Sequence, residues 1–195
     1  TIPLEQLHAR SDLPTTLLEA TAAYIGTQEP AATIAEALAD IEQPCLLTAL
    51  LAAEASLGLS DDWIPLSERV TTAGGLTQDD AQRLRAVRLM RPAACERTTY
   101  RGKGSIGIAV WAAYTNEGAI LRVQVALGGI SSYPQRVRQV EAVLQGRRAS
   151  EALIAVATET AVQESQPAGI GSLTMAADLE TVRVITFTAL RAVLF

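Results

Sequence analysis

An alternating pattern of side chains marks a strand in the second half of the chain. One face carries Ile106, Ile108 and Val110, and the other carries Gly107, Ala109 and Trp111. Successive strand residues point to opposite faces, so small or apolar residues on both faces predict a strand that is buried on both sides.

A return strand follows a turn at residues 115–118, which read TNEG. Apolar residues fall again at every second position, at Leu121, Val123, Val125 and Leu127. Arg122 and Gln124 lie between them, so the pattern predicts a hairpin whose second strand buries one face only.

Helical sequence patterns dominate the first half of the chain. Residues 17–26, 31–39 and 46–55 favour helix through their spacing of apolar residues or their alanine and leucine content. Residues 83–89 mix arginine with leucine and valine, which predicts an edge strand that ends before Pro92.

Three helices are predicted after the hairpin. Pro134 opens the first, which Gly146 ends, and Ser150 caps the second. Residues 179–193 contain many β-branched side chains but keep apolar residues at helical spacing, which predicts the third helix.

The order of these elements predicts an α+β protein, in which a small antiparallel sheet packs on a three-helix C-terminal domain. A boundary near residue 95 gives two predicted domains, residues 1–95 and 96–195. With 195 residues, of which 49% are hydrophobic, the chain can bury a substantial core.

The net charge of -5 argues against nucleic acid as a partner, because the overall field repels phosphate backbones. One stretch departs from this balance, since seven cations between residues 83 and 103 face a single acid, Glu96. The stretch is interpreted as a solvated surface, with docking of an anionic ligand or partner as the alternative.

Cysteine usage and hydropathy bound the location of the protein. Cys45 and Cys95 are far apart and have no CxxC spacing, so both are interpreted as buried thiols of a cytoplasmic protein. The sequence has neither a stretch long enough to span a bilayer nor a signal pattern at its start. The chain begins with Thr1 instead of methionine, which indicates a processed chain or a fragment of a longer one.

No catalytic or metal-binding set of residues is evident in the sequence. His8 is the only histidine, and Asp61 and Asp62 are interpreted as turn residues. Ser105 and Ser172 have no histidine near them, so no nucleophilic triad is predicted. The glycine pairs do not belong to a phosphate-binding pattern.

Several motifs of the second half resemble one protein family. They are KGSIGIAV at residues 103–110, NEG at 116–118, VALGGI at 125–130, LQGR at 144–147, and GSL and ALR at 171–173 and 189–191. These motifs are similar to the C-terminal domain of the FAD-binding medium subunit of molybdenum hydroxylases, the family of carbon monoxide dehydrogenase and xanthine dehydrogenase. The resemblance implies a three-stranded sheet with three helices.

The first half resembles the second part of the flavin-binding region of that family. The family has a TIGGN turn on the flavin diphosphate, and this chain has TIAEA there, at Thr33, Ile34, Ala35, Glu36 and Ala37. The helix that opens with aspartate in the family opens with Cys45 here, and Gly107 replaces the aspartate of a DIA motif. The resemblance implies that these seven residues are the FAD positions of this chain.

The substitutions change the chemistry that the resemblance implies. Glycines in a diphosphate turn allow close backbone approach to the phosphates, and Ala35, Glu36 and Ala37 replace them and the asparagine. Glu36 puts a carboxylate where an anion would lie. The N-terminal flavin-binding subdomain of the family has no counterpart in these 195 residues.

The resemblance implies an FAD-binding electron-transfer subunit of a molybdopterin-dependent dehydrogenase, an oxidoreductase. Its FAD would pass electrons from iron-sulfur clusters to an acceptor, and its partners would be a molybdopterin large subunit and a [2Fe-2S] small subunit. The alternative is a flavin-free structural or protein-interaction module that descends from this family. In that case the basic residues 83–103 are the predicted docking surface.

Overall fold

The structure is a computed structural model of the chain. It describes residues 13–25, 34–40, 44–59, 62–73, 76–89, 95–131, 133–165 and 173–195. Helices and two antiparallel sheets alternate along these ranges, so the α+β prediction is confirmed. Among the described helices, none combines the length and the apolar character needed to cross a membrane.

The first half of the chain forms helices and a small sheet. Its elements are α1 (Thr15–Ile25), α2 (Ile34–Ala39), α3 (Cys45–Ala52), β1 (Ser56–Leu59), β2 (Asp62–Pro65), α4 (Leu66–Ala73), α5 (Gln78–Arg83) and β3 (Leu84–Arg88). The strands pair antiparallel in the order β2-β1-β3, so β3 lies at an edge, as predicted.

The second half forms a larger sheet followed by helices. Its elements are β4 (Glu96–Lys103), β5 (Ile106–Tyr114), β6 (Ile120–Gly128), β7 (Gln135–Arg136), α6 (Arg138–Leu144), α7 (Glu151–Glu164) and α8 (Leu173–Leu194). The four strands pair antiparallel in chain order. The predicted two-stranded hairpin is therefore the centre of a wider sheet.

Each face of the larger sheet is buried against helices. On one face, Ile108 and Val125 belong to an apolar cluster with residues of α6, α7 and α8. On the other face, Ala109 and Ala126 belong to a second cluster with residues of α1 and α3. This arrangement confirms that β5 is buried on both sides, and it shows that first-half helices supply one of the two covers.

The prediction that β6 buries only one face is wrong at Gln124. This side chain is 2% exposed, because α3 packs against β5 and β6 on that face. Its amide oxygen accepts a hydrogen bond from Nη2 of Arg122 at 3.3 Å. The polar residue was predicted to be solvated, and its burial depends on a helix distant in sequence.

The inward position predicted for Leu121 is also wrong. Leu121 is 57% exposed, whereas Ile120 is fully buried in the apolar cluster. The strand pairing shifts between Ala113 and Tyr114, which leaves Leu121 without an opposite residue. Such a bulge reverses the alternation on its far side, so Ile120 takes the inward place.

The α3 helix ends earlier than predicted, because the chain reverses at Glu54. This residue has a φ of 48°, in the left-handed region. The amide of Glu54 donates to the carbonyl of Leu51, and the amide of Ala55 donates to the carbonyl of Leu50. These two bonds form a Schellman motif, which ends the helix at Ala52.

The structure differs from the sequence predictions in two segments that contain proline. Pro134 does not open a helix, because Gln135–Arg136 pairs with β6 as β7, and α6 begins at Arg138. The interpretation of Asp62 as a turn residue is also wrong, since Asp62–Pro65 is a strand that pairs with β1.

The last two helices confirm the sequence predictions. The hydroxyl of Ser150 accepts a hydrogen bond from the amide of Leu153 at 3.1 Å, as expected of an N-cap. The α8 segment is helical in spite of its β-branched residues, because its apolar stripe packs in the cluster beneath the sheet.

Candidate functional site

The described FAD positions of the first motif lie in a helix. Ile34, Ala35, Glu36 and Ala37 form the first turns of α2, whereas Thr33 lies outside the described residues. Ala35 and Ala37 are buried, at 8% and 0% exposure. These residues therefore form a packed helix, where the family would place a turn.

Glu36 is exposed in the first turn of α2. A helix N-terminus carries a partial positive charge, and a carboxylate in the first turn compensates it. The same carboxylate repels a phosphate approaching this end, so Glu36 stabilises α2 and disfavours a diphosphate.

Cys45, the FAD position at the start of α3, is buried inside the protein. It begins α3 and is 3% exposed. Burial raises the pKa of the Cys45 thiol, and the neighbouring Tyr100 side chain opposes that rise. Burial also raises the pKa of the Tyr100 phenol above its ordinary value, so both groups are neutral at physiological pH.

Gly107 is the FAD position on β5, and the space above it is filled by the side chain of Tyr100. A Cβ atom at Gly107 would lie 2.1 Å from the hydroxyl oxygen of Tyr100. Gly107 pairs with Gly102 across the sheet, and a Cβ atom at Gly102 would lie 3.0 Å from the same oxygen. The phenol of Tyr100 thus lies across two glycines, and an aspartate at position 107 has no room.

The first residues of α3 pack directly against Gly128 on the neighbouring strand, β6. A Cβ atom at Gly128 would lie 2.2 Å from Oγ1 of Thr48 and 3.1 Å from Cγ of Pro44. The Thr48 hydroxyl donates to the carbonyl of Pro44 at 2.7 Å, so its hydrogen bond is made inside the helix. The helix and the sheet therefore meet without space for a ligand.

The described residues at the FAD positions do not fit a flavin diphosphate. They supply two buried alanines, a carboxylate, a buried neutral thiol and a glycine covered by a phenol. None of these groups offers the exposed glycine amides or the positive charge that a diphosphate requires.

The other residues considered in the sequence are dispersed. Ser105 is exposed in the turn between β4 and β5, and Asp62 is exposed on β2 of the other sheet. His8, Asp61 and Ser172 lie outside the described residues. The prediction that Cys95 is buried is wrong. Cys95 precedes β4, and its carbonyl accepts a hydrogen bond from the Tyr114 amide at 3.2 Å.

Sequence reasoning missed the part played by Tyr100 and Thr48. Tyr100 faces Gly102 and Gly107, and Thr48 faces Gly128. The signal was the presence of glycines inside strands, which marks a close approach of another group. The sequence could not say which group approaches, because the contacts join distant elements.

Comparison with known proteins supports the resemblance on which these positions rest. Residues 101–191 match the family model of the CO dehydrogenase flavoprotein C-terminal domain. No curated protein sequence matches the chain.

Three solved structures share the fold over nearly the whole chain. Carbon monoxide dehydrogenase from Hydrogenophaga pseudoflava is 19% identical with a TM-score of 0.77, and the match covers 98% of this chain and 72% of that one. Quinoline 2-oxidoreductase from Pseudomonas putida 86 is 15% identical with a TM-score of 0.77, and the match covers 98% of this chain and 72% of that one. Reconstituted CO dehydrogenase from Oligotropha carboxidovorans is 14% identical with a TM-score of 0.73, and the match covers 97% of this chain and 71% of that one.

These matches define the chain first as an α+β protein with the fold shared by carbon monoxide dehydrogenase and quinoline 2-oxidoreductase. Within that fold, residues 101–191 are the part that is similar to the CO dehydrogenase flavoprotein C-terminal domain. The resemblance to the FAD-binding subunits of molybdenum hydroxylases is thereby confirmed.

Proposed function

We propose that this chain is an assembly module of a molybdopterin-dependent dehydrogenase, with the fold of a flavoprotein subunit but without a flavin diphosphate site in its described residues. The matched domain carries the word flavoprotein in its name, so FAD belongs to relatives of this chain. A cytoplasmic location stays a prediction.

The observation that carries this proposal is the position of Tyr100. Its phenol covers Gly107, where the family has an aspartate, and its side chain lies against that of Cys45. The family positions are thus used to join α3 to the sheet. This use favours a structural role over the electron-transfer role that the resemblance alone implies.

The partners proposed are a molybdopterin large subunit and a [2Fe-2S] small subunit. The structural neighbours include a copper- and molybdenum-containing CO dehydrogenase, which supports a partner of the molybdenum class. The division into residues 1–95 and 96–195 is kept as a proposal, with the larger sheet as the surface where the two parts meet.

Co-expression with the two partner subunits tests the proposal. The expected result is a stable complex in which this chain carries no visible flavin absorption when it is separated from the others. A chain that binds neither subunit would overturn the assembly role, and stoichiometric FAD on the isolated chain would overturn the flavin-free assignment.

A further inference from the structure

An exposed stack of two side chains spans the small sheet. The guanidinium carbon of Arg88 on β3 lies 3.9 Å from the ring centroid of Trp63 on β2. The central strand contributes Gly58, which pairs with Trp63 and with Ala86. A Cβ atom at Gly58 would lie 3.4 Å from the Trp63 ring, so the missing side chain leaves room for the indole above β1.

This stack is exposed to solvent. Trp63 is 44% exposed, whereas the other described tryptophan, Trp111, is buried. Arg88 is also exposed. An indole that lies beside a guanidinium on the sheet surface offers a partner both apolar contact area and a positive charge.

The charge of Arg88 is not neutralised by the part of the chain that the structure describes. Several arginines of the described residues form ion pairs with acids, as Arg69 does with Asp80 and Arg101 with Glu19. Arg85 and Arg88 take part in no described ion pair. Asp62 pairs with Leu59, and strand alternation places it on the opposite face from Trp63.

Stacking on an indole holds a guanidinium in an orientation from which it can bind a carboxylate. The contact restricts the arginine side chain, and the N–H donors at the edge of the plane stay available for two parallel hydrogen bonds. A preorganised side chain loses less entropy on binding. Tryptophan and arginine are also the residues that most often dominate the energy of protein interfaces.

We propose that Trp63 and Arg88, with Arg85 on the same strand, form a docking surface for an acidic segment of a partner polypeptide. A carboxylate of the partner pairs with Arg88, and an apolar side chain of the partner covers Trp63. The local excess of positive charge selects an acidic surface, whereas the net charge of -5 disfavours nucleic acid at the same place.

This inference rests on the proposed function for the existence of a partner. The test therefore uses the full chain, co-expressed with the molybdopterin and [2Fe-2S] subunits, and compares it with the variants Arg88→Glu, Arg88→Lys and Trp63→Ala. Arg147→Glu is the matched control, since Arg147 is exposed and lies beyond α6, outside the small sheet. Circular dichroism and the melting temperature verify that each variant folds.

The expected result is a graded loss of affinity. Arg88→Glu weakens the complex about tenfold or more, Trp63→Ala weakens it by a similar factor, and Arg88→Lys by less, because lysine keeps the charge but loses the paired hydrogen bonds. Arg147→Glu binds like the wild-type chain. The affinity of the wild-type chain also falls with added salt, and Arg88→Glu removes part of that dependence.

Three other outcomes overturn the proposal. A wild-type complex that Arg88→Glu and Trp63→Ala leave unchanged refutes the docking surface but keeps the proposed function. A wild-type chain that binds neither subunit refutes both. A dimer of this chain alone that Arg88→Glu dissociates, measured by analytical ultracentrifugation, assigns the surface to a second copy instead.

Discussion

The side chain of Tyr100 lies against that of Cys45, and this contact joins β4 to the first residue of α3. The same phenol lies across Gly102 and Gly107. Two of the positions that the family resemblance assigns to FAD are therefore linked through a buried tyrosine.

Adding a methyl group at Gly107 should destabilise the protein. Its Cβ atom would lie 2.1 Å from the Tyr100 hydroxyl, so the ring must move, and overpacking of this kind lowers the free energy of unfolding by about 2 kcal/mol. Urea unfolding measures the effect. Gly102→Ala is the control, because its Cβ atom would lie 3.0 Å from that oxygen, and its cost should be smaller. Equal costs would show that Tyr100 does not occupy this space.

Only one of the two cysteines should react with a thiol reagent in the native state. Cys95 is exposed, whereas Cys45 is buried, with a pKa that burial raises above its ordinary value. The thiolate is the reactive form, so Cys45 is protected twice. Absorbance titration should count one fast thiol in the wild-type chain and none in Cys95→Ser. A fast thiol in Cys95→Ser would contradict the packing around Tyr100.

Asp80 should make stability dependent on pH in the acid range. Burial opposes its ionisation, but hydrogen bonds from the Thr77 amide and the Arg69 guanidinium outweigh burial and lower the pKa of Asp80. A lowered pKa adds stability that is present above the unfolded value of about 4 and is lost as the pH falls through the folded value. Asp80→Asn should be less stable at neutral pH by about 2 kcal/mol, because it also weakens the capping box with Thr77.

The difference between the wild-type chain and Asp80→Asn should shrink as the pH falls below about 4, as measured by urea unfolding. Asp79→Asn is the control, since Asp79 is exposed and makes a longer ion pair with Arg83 at 3.5 Å. A difference that stays constant down to low pH would show that the charge of Asp80 is not the cause.

Glycine at position 54 should be more stable than alanine. Both substitutions remove the ion pairs of Glu54 with Arg122 and Arg136, so their difference isolates the backbone. Because residue 54 has a φ of 48°, Glu54→Gly should exceed Glu54→Ala by about 1 kcal/mol in the free energy of unfolding. Thermal unfolding of the two variants measures the difference, and equal stability would contradict the Schellman motif.

The elements with regular periodicity could be predicted from the sequence, whereas their partners could not. The two buried faces of β5 followed from strict alternation, and the N-cap at Ser150 followed from local chemistry. The exposure of Leu121 depends on a shift in pairing with the neighbouring strand. No local pattern in β6 reports that shift, so the inward residue was assigned one position too late.

The candidate site was limited by the same physical cause. Ala35, Cys45 and Gly107 could be singled out from the family motifs, but their surroundings come from helices and strands that meet only in the folded chain. The burial of Cys45 and the approach of Tyr100 to Gly107 are such tertiary contacts. They turn a set of altered ligand positions into a packed junction.

Titration of the full chain with FAD, followed by measurement of its melting temperature, shows directly whether the protein binds a flavin. A ligand that binds the folded state raises its stability by mass action, in proportion to the logarithm of the ligand concentration above the dissociation constant. Because the described FAD positions are packed and carry no positive charge, we predict an unchanged melting temperature at every FAD concentration. A rise in the melting temperature with FAD, accompanied by flavin that remains with the protein after gel filtration, would contradict it.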